Sequence, residues 1–522
     1  MSAEKPNPFF SRRTLLHGLI GVLLLAAFIW TGLYLTGAGF QQVVLRKVVA
    51  ELEMLTGGKV EMRQFTWNLS RLAFQADDLT IHGLEAAGVA PYAHADRVRV
   101  RLKIRSFFSR EVGLQSFEAD RPIIHITVDA QGNTNQPMPK IRLSSHHSPI
   151  ERLFDLAIES AQFNNGEFWW NDRRIPLDLR AEQAHASMNL AGASNRLIGS
   201  VHIGRIESRL SDFRPVASDA EIEFSLSRFD LEIRALRWKS GGSHLEASGT
   251  VTNFQDPKVN LAYSLSVDLK QAAAITGNAE LRGGRADFNG RGSATFRDFA
   301  TDGKLFVHDL QWEEPRSAVR FPPLNAQAQF VATPRRLALS HMDGRIAGGT
   351  ITGVAEVAGW SLMPATSMPP TAGQHRSTAK GSADLQFKNL DLAELDAAIS
   401  KSQGRLQQLR PAGRVNAESR VAWEGTFRNL TATLAAQVEP LAQTPANFFP
   451  VKGDLQAVYS RARRTLEISD GHLQTSHTSL VAKGTLAADK SSRLIINLKT
   501  ADLRELEPVW TALNVPRPPL EV

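Results

Sequence analysis

Apolar and polar residues alternate with a period of two in this sequence, and that pattern restricts its fold more than any other feature. The clearest example is RVRVRLKIR, residues 97–105, in which every second residue is basic. The apolar positions between the basic ones are Val98, Val100, Leu102 and Ile104. Because successive side chains of a β-strand point to opposite faces of the sheet, the pattern predicts a strand with one apolar and one solvated face.

The same alternation returns in three further segments, IIHITV (123–128), LAYSLSV (261–267) and LIINL (494–498). Their apolar positions are Ile124, Ile126 and Val128, then Leu261, Tyr263, Leu265 and Val267, and finally Leu494, Ile496 and Leu498. We predict that these residues and the four from 97–105 line apolar faces of a sheet. An open groove and a closed sandwich have the same period-two pattern, so both alternatives stay open.

Turn-forming clusters, rather than helices of core length, separate the alternating segments. Asn165-Gly166, for example, predicts a hairpin turn, after which Trp169 and Trp170 would face opposite sides of a strand. The predicted fold is therefore mainly β with minor α, an elongated and repetitive antiparallel sheet with short interspersed helices.

The domain organisation that we predict follows these patterns along the chain. Its segments are a cytoplasmic tail (1–14), a transmembrane helix (15–36), an amphipathic helix or stalk (37–58), an N-terminal β region (59–135), a loop (136–149), a repetitive β body (150–360), a flexible loop (361–380) and C-terminal β repeats with short helices (381–522).

The transmembrane prediction rests on the apolar run Leu15–Thr36, which directly follows Arg12 and Arg13. A helix of about 22 residues covers about 30 Å, enough to cross the hydrocarbon core of a bilayer. The basic pair keeps the N-terminus in the cytoplasm, so the rest of the chain lies across the membrane. A cleaved signal peptide is the alternative, although its apolar region would be shorter, about 7–15 residues.

Three aspartates are predicted to begin short helices. Asp268, Asp391 and Asp502 each precede a leucine and stand three residues before Gln or Glu. An aspartate in this position caps the free N–H groups of a first helical turn, and the Gln or Glu side chain can reach back to the N–H of the cap. We interpret these acids as helix caps and not as catalytic groups.

Composition and motifs exclude several classes of function. The chain has no cysteine, which excludes disulfides, thiolate catalysis and cysteine metal sites. No Walker loop, GxSxG elbow, HExxH pair or GxGxxG turn is present, so we expect no enzyme, cofactor or metal. The net charge of +7 would suit anionic lipid or nucleic acid. Nucleic acid is not an expected partner, because the stripe at 97–105 lacks interleaved aromatic residues and the body lies across a membrane.

The order of elements near the N-terminus resembles that of AsmA-like proteins, a bacterial family of envelope proteins anchored in the inner membrane. After the anchor come TGGKVEMRQFTWNL, LTIHGL, PYAHADRVRVRLKI and RPIIHITVDAQGNTN. The pair Arg121-Pro122 would open a strand that the turn at 129–135 closes. Later Gly-Thr and Asp-Leu-x-Glu units resemble the repeated body of the family and of TamB-like proteins. Family members usually continue with more strands after a unit such as 502–513, so we expect a short or truncated member.

The resemblance implies a function in the bacterial envelope, with the bulk of the chain in the periplasm. AsmA-like and TamB-like proteins resemble bridge-like lipid-transfer proteins, whose sheets curl into an open groove, a β-taco. One hypothesis is therefore an anchored groove that binds phospholipid acyl chains and moves them between the inner and outer membranes. The alternative is an assembly factor whose sheet edges pair with strands of outer-membrane or periplasmic proteins. A periplasmic enzyme is the third and least favoured hypothesis.

Overall fold

The computed structural model describes residues 38–506 except for 69–70, 87, 104–112, 139–153, 155–157, 175, 193–194, 255, 296–297, 315–318, 361–378, 401–410, 426, 444–447 and 488–490. The predicted transmembrane segment 15–36, Ile104 and most of the two predicted loops lie outside these residues. Within the described part of the chain, no helix combines the length and the apolar character that crossing a membrane requires.

The first described element is helix α1 (Ala38–Thr56), which occupies the segment predicted as an amphipathic helix. It ends at Gly57, whose φ of 80° is the left-handed conformation that glycine adopts at a helix C-terminus. The side chain of Glu53 then accepts a hydrogen bond from the backbone N–H of Val60, 3.0 Å away. This contact ties the end of α1 to the first strand.

The chain divides into two compact units after Arg205. In the first unit six strands pair one after another in chain order. They are β1 (Lys59–Asn68), β2 (Ala73–His82), β3 (Ala93–Leu102), β4 (Leu114–Val128), β5 (Ser160–Asp172) and β6 (Leu177–Ala191). Strand β7 (Arg196–Leu210) crosses the boundary between the units.

Within the described residues, the second unit holds the remaining strands, two short helices and two 3₁₀ turns. Its strands are β8 (Val216–Leu226), β9 (Asp230–Ser240), β10 (Ser243–Thr252), β11 (Lys258–Asp268), β12 (Leu281–Ala294), β13 (Phe299–Glu314), β14 (Val319–Arg320), β15 (Leu324–Thr333), β16 (Arg336–Ile346), β17 (Gly349–Ala358), β18 (Lys380–Asp391), β19 (Pro411–Ala412), β20 (Arg414–Glu424), β21 (Thr431–Glu439), β22 (Phe449–Pro450), β23 (Lys452–Ser460), β24 (Thr465–Gln474), β25 (Thr478–Ala487) and β26 (Arg493–Thr500). The helices are α2 (Leu269–Thr276) and α3 (Leu392–Ser400), and the 3₁₀ turns are Phe427–Asn429 and Leu503–Leu506.

The predicted mainly β fold with minor α is confirmed, but the prediction of a purely antiparallel sheet is wrong. Strands β4 and β5 pair in parallel, with Phe117 opposite Ala161 and Ile126 opposite Trp170. A parallel pair needs a long connection, and the chain between Val128 and Ser160 provides one. The short strands β19 and β22 are also parallel. The sheet is therefore mixed.

The hairpin predicted at Asn165-Gly166 is also wrong. Both residues lie inside β5, where the register shifts on each side of Gly166. Asn165 has a φ of 52°, and the pair forms a β-bulge rather than a turn. Trp170 lies opposite Ile126, whereas Trp169 lies on the other face of the strand, against His125.

The second unit repeats a group of six strands. Six antiparallel pairings lead from β11 to β18, through β12, β13, β15, β16 and β17. Another six lead from β18 to β26, through β20, β21, β23, β24 and β25. An even number of antiparallel steps leaves β11, β18 and β26 pointing in the same direction. The three capping aspartates therefore lie at the same end of the sheet, where these strands finish.

Each aspartate caps a helical turn. Asp268 accepts a hydrogen bond from the backbone N–H of Gln271 at 3.0 Å, at the start of α2. Asp391 accepts one from the N–H of Ala393 at 2.9 Å, at the start of α3. Asp502 accepts one from the N–H of Arg504 at 3.0 Å and begins the short 3₁₀ turn.

The Gln or Glu three residues after the aspartate does not bond the N–H of the cap, contrary to the expected capping box. Gln271 instead contacts the hydroxyls of Ser240 and Ser243, which flank the turn between β9 and β10. Ser243 accepts the hydrogen bond from the N–H of Asp268. At α2 the motif thus fastens the helical turn to the neighbouring hairpin.

Glu505 makes the same connection at the hairpin between β24 and β25. It accepts hydrogen bonds from the hydroxyls of Thr475 and Thr478, at 2.6 and 2.7 Å, and from the backbone N–H of His477 at 3.0 Å. Desolvation acts to raise the pKa of Glu505, but these hydrogen bonds outweigh it and hold the pKa below the usual value.

We expect Glu505→Gln to destabilise the chain by about 1–2 kcal/mol near pH 7, because hydrogen bonds to a charged group are lost. A carboxyl whose pKa is lowered by folding stabilises fully above its unfolded pKa of about 4.3 and loses that contribution as the pH falls through its folded pKa. The difference in unfolding free energy between wild type and E505Q, measured by urea titration, should therefore shrink in acid. Glu467→Gln, at an exposed position of β24, is the control. An equal difference at all pH values would contradict this account.

Candidate functional site

The apolar positions of the second unit form one continuous face across neighbouring strands. In β11–β15, Leu265 lies opposite Phe288, Phe288 opposite Leu305 and Leu305 opposite Ala328. Further cross-strand pairs continue the face: Ile351 lies opposite Phe387, Phe387 opposite Ala417, Ala417 opposite Ala436, Ala436 opposite Leu455, and Leu480 opposite Leu498. We call this surface, from β8 to β26, the apolar face of the second unit.

The side chains of this face are mostly half-buried, whereas those of the opposite face are exposed. In β21 this alternation is complete, with each half-buried residue between two exposed ones. A second layer packed on such a face would bury it almost fully. Among the described residues, one buried cluster meets that standard, and it consists of Leu390, Val415 and Ala417. There Leu392 and Leu395 of α3 pack onto the sheet.

Exposure of the apolar face is highest near its C-terminal end. Leu473 in β24 is 41% exposed and Leu486 in β25 is 40% exposed. In β26, Ile496 is 52% exposed. Apolar side chains in contact with one another and also with solvent are what the wall of an open groove would present.

Two groups of predicted lining residues lie on this face. Leu261, Tyr263, Leu265 and Val267 belong to β11, and Leu494, Ile496 and Leu498 belong to β26. The hydroxyl of Tyr263 forms a hydrogen bond with the hydroxyl of Thr301, 2.6 Å away, so its polar end is satisfied within the face. Contact of these residues with lipid stays a prediction.

The other predicted residues share an apolar face in the first unit. Val98 and Val100 of β3 lie opposite Ala119 and Phe117 of β4. Leu102 pairs with Leu114 at the end of β3, and Ile124, Ile126 and Val128 continue the face along β4. Val100 and Val128 are buried, whereas Ile124 is 40% exposed. The packing of this face is therefore closed at Val100 and Val128 and open at Ile124, a difference that the sequence pattern does not reveal.

The alternating sequence pattern does not identify the glycines that lie on the apolar face. A Cβ on Gly381 would lie 1.9 Å from Cζ2 of Trp423, which faces it across the β18–β20 pair. A Cβ on Gly290 would approach the hydroxyl of Tyr263 and the ring of Phe330, at 3.0 and 3.1 Å. At these positions a missing side chain makes room for an aromatic ring on the neighbouring strand, a pairing that only the register reveals.

The basic face of β3 is largely neutralised by its neighbours. The guanidinium of Arg97 lies 2.9 Å from the carboxylate of Asp77, and that of Arg99 lies 3.2 Å from Glu118 and 3.5 Å from Asp120. Hydrogen bonds from Gln75 and Arg97 lower the pKa of Asp77 below its usual value. Acidic residues on both adjacent strands thus balance the stripe that the sequence presents as basic.

One group of metal-ligating side chains occurs in the described part of the chain, formed by Asp454, Asp470 and His472. It lies on the surface, and the ammonium of Lys483 is 3.0 Å from Oδ1 of Asp470. The hydrogen bond from Lys483 lowers the pKa of Asp470. These ion pairs account for the cluster as part of a charged surface.

Neither a protein-family model nor a curated protein sequence matches the chain. The resemblance to AsmA-like proteins therefore stays a prediction, and the function must be argued from the geometry of the sheet.

We expect Gly381→Ala to destabilise the chain by about 2 kcal/mol, because the added methyl group would displace the Trp423 ring from a packed position. Gly283→Ala is the matched control, since its Cβ would meet only the Gln311 side chain, at an ordinary 3.5 Å. Urea unfolding of both variants measures the difference. Equal stability of G381A and G283A would show that the ring does not depend on the glycine.

Proposed function

We propose that the chain is an inner-membrane-anchored periplasmic protein of the AsmA type, which binds or conducts phospholipid acyl chains along a hydrophobic β-groove and so serves outer-membrane lipid homeostasis. The observation that carries the proposal is the continuous, half-open apolar face of the second unit. A face of this kind needs an apolar partner, and an acyl chain is narrow enough to lie along it.

The free energy of such binding is large. Each CH₂ group removed from water contributes about 0.8 kcal/mol, so a chain of about 16 carbons exposed to water costs on the order of 10 kcal/mol. A continuous apolar wall offsets most of that cost at every position along it. Headgroups can remain in water while the tails lie against the wall.

A long-range ion pair supports the view that the sheet curls. Arg461, at the end of β23, pairs with Glu280, at the start of β12. Eight pairings separate these strands, which corresponds to about 38 Å in a flat sheet at about 4.8 Å per strand. The side chains can meet only because the sheet of the second unit turns back on itself.

The N-terminal sequence supports the cellular location. The apolar run 15–36 and the preceding Arg12 and Arg13 would place one end of the chain in the inner membrane. A tether of this kind would hold the groove where lipid enters or leaves a bilayer.

Photo-crosslinking tests the proposal. A photoreactive amino acid at Leu473 or Leu486, on the apolar face, should capture phospholipid from detergent-solubilised membranes. The same group at Val331 or Val354 should capture at most background amounts, because these residues lie on the opposite face with similar exposure, 51% and 49%. Mass spectrometry of the adducts measures the difference.

Equal lipid capture from the two faces, or none from either, would contradict the groove. These positions are preferable to Val100, where a polar substitution would disturb a buried residue. Their exposure on the folded chain lets them report on the face without unfolding it.

One observation favours the alternative function, an envelope assembly factor that pairs with other β proteins. Strand β26 pairs with β25 on one side, and the described residues provide no strand on its other side. Ile495 on this edge is 69% exposed. An open edge with apolar side chains can accept a further strand.

The alternative predicts that Ile495→Lys impairs the assembly of outer-membrane β proteins, because a charge on the edge disfavours strand addition. The lipid adducts at Leu473 should persist in this variant. Levels of outer-membrane proteins in cells are the measurement, and Leu84→Lys, outside the strands and 66% exposed, is the control. Unchanged levels in I495K would exclude the edge as an assembly site.

A further inference from the structure

A cavity of about 700 Å³ lies in the second unit, at the end of the sheet where α3 begins. One wall comes from the ends of β12 and β13, a second from the segment that leads into β15, and a third from α3. Charged and apolar side chains both line it, so the cavity is suited to an amphiphile rather than to a purely apolar ligand.

Two arginines share one carboxylate in this cavity. Nε of Arg282 lies 3.3 Å and Nε of Arg320 3.1 Å from Oε2 of Glu313, whose side chain is only 14% exposed. Both contacts use Nε, and among the described residues the terminal nitrogens of both guanidiniums have no hydrogen-bond partner, so they can bind a ligand. Paired guanidinium groups with such nitrogens match the oxygens of a phosphate.

Glu394 brings a second carboxylate to the cavity from the first turn of α3. Within the described part of the chain, no cation forms an ion pair with it, and the neighbouring Arg414 is paired with Asp391. The formal charges of Arg282, Arg320, Glu313 and Glu394 add to zero. Because Glu394 lies on a different wall from the two arginines, the cavity complements a zwitterion better than an anion.

One residue that lines the cavity, Trp312, lies on the apolar side of β13. Trp312 lies opposite Leu281 in the β12–β13 pair, and Leu310 on the same side of β13 lies opposite Leu324. Phe321 is half exposed at the rim. The tails of a lipid whose headgroup lies in the cavity could therefore begin against Trp312.

We propose that this cavity binds the headgroup of a phospholipid that carries both a phosphate and an ammonium group. The phosphate lies against Arg282 and Arg320, the ammonium against Glu394, and the first carbons of the tails against Trp312. This inference rests on the proposed function and adds to it a site and a class of lipid.

The experiment uses the full chain in mixed micelles that contain equal amounts of phosphatidylethanolamine and phosphatidylglycerol. A photoreactive amino acid at Phe321 reports on the cavity, and one at Leu473 reports on the apolar face. The variants are Glu394→Gln and Arg320→Gln. Arg420→Gln is the matched control, because Arg420 is an exposed arginine paired with Asp384 outside the cavity.

At Phe321 the wild type should give more adducts of phosphatidylethanolamine than of phosphatidylglycerol. E394Q should lower that ratio about three- to fivefold, the effect of losing one partly exposed ion pair. R320Q should reduce the adducts of both lipids, because both carry the phosphate. R420Q should change neither, and adducts at Leu473 should persist in all variants.

A ratio at Phe321 that E394Q leaves unchanged would overturn the inference, as would adducts at Phe321 that R320Q does not reduce. If Leu473 still captures lipid in that case, the headgroup site is wrong and the groove stands. If neither position captures lipid in the wild type, both the site and the proposed function are wrong.

Discussion

The whole arrangement depends on cross-strand register, which keeps apolar side chains on one face over many strands. A slip of one residue in any pair would move all apolar side chains of a strand to the solvated face. Bulges keep the alternation in phase where the chain would otherwise lose it. Between Leu339 and Met342 the register shifts, and both residues still lie on the apolar face, opposite Ala355 and Gly353. Because the face is only half covered, its continuity rests on hydrogen bonding between strands more than on a buried core.

Sequence patterns predict the strands well because alternation is a local property. Val98, Val100, Leu265 and Ile496 all lie on strands, as expected, and burial alternates with exposure around Leu265 in β11. The parallel pairing of β4 and β5 could not be predicted, because pairing direction depends on where a long connection returns. Asn165-Gly166 was misleading for a related reason: the same left-handed backbone serves a hairpin turn and a β-bulge, and only the neighbouring strand decides between them.

The candidate site was predictable only in part. Alternation indicates an apolar face but not whether a second layer covers it, and half-buried Leu434 has the same sequence pattern as buried Val415. Glycines such as Gly381 give no apolar signal, although each is needed where an aromatic ring crosses from the next strand. The cavity at Arg320 and Glu394 joins segments far apart in the chain, so no local motif could reveal it.

The repeated aspartate motif explains how a half-covered sheet can stay ordered. A sheet whose apolar face is mostly half-buried gains little from burial, so it needs other constraints on the relative positions of its strands. Gln271 and Glu505 supply such constraints, since each joins a helical turn to the neighbouring hairpin. These polar contacts lie at the ends of the strands and leave the middle of the apolar face free. A sheet fastened at its ends in this way can keep an open apolar wall without collapsing onto itself.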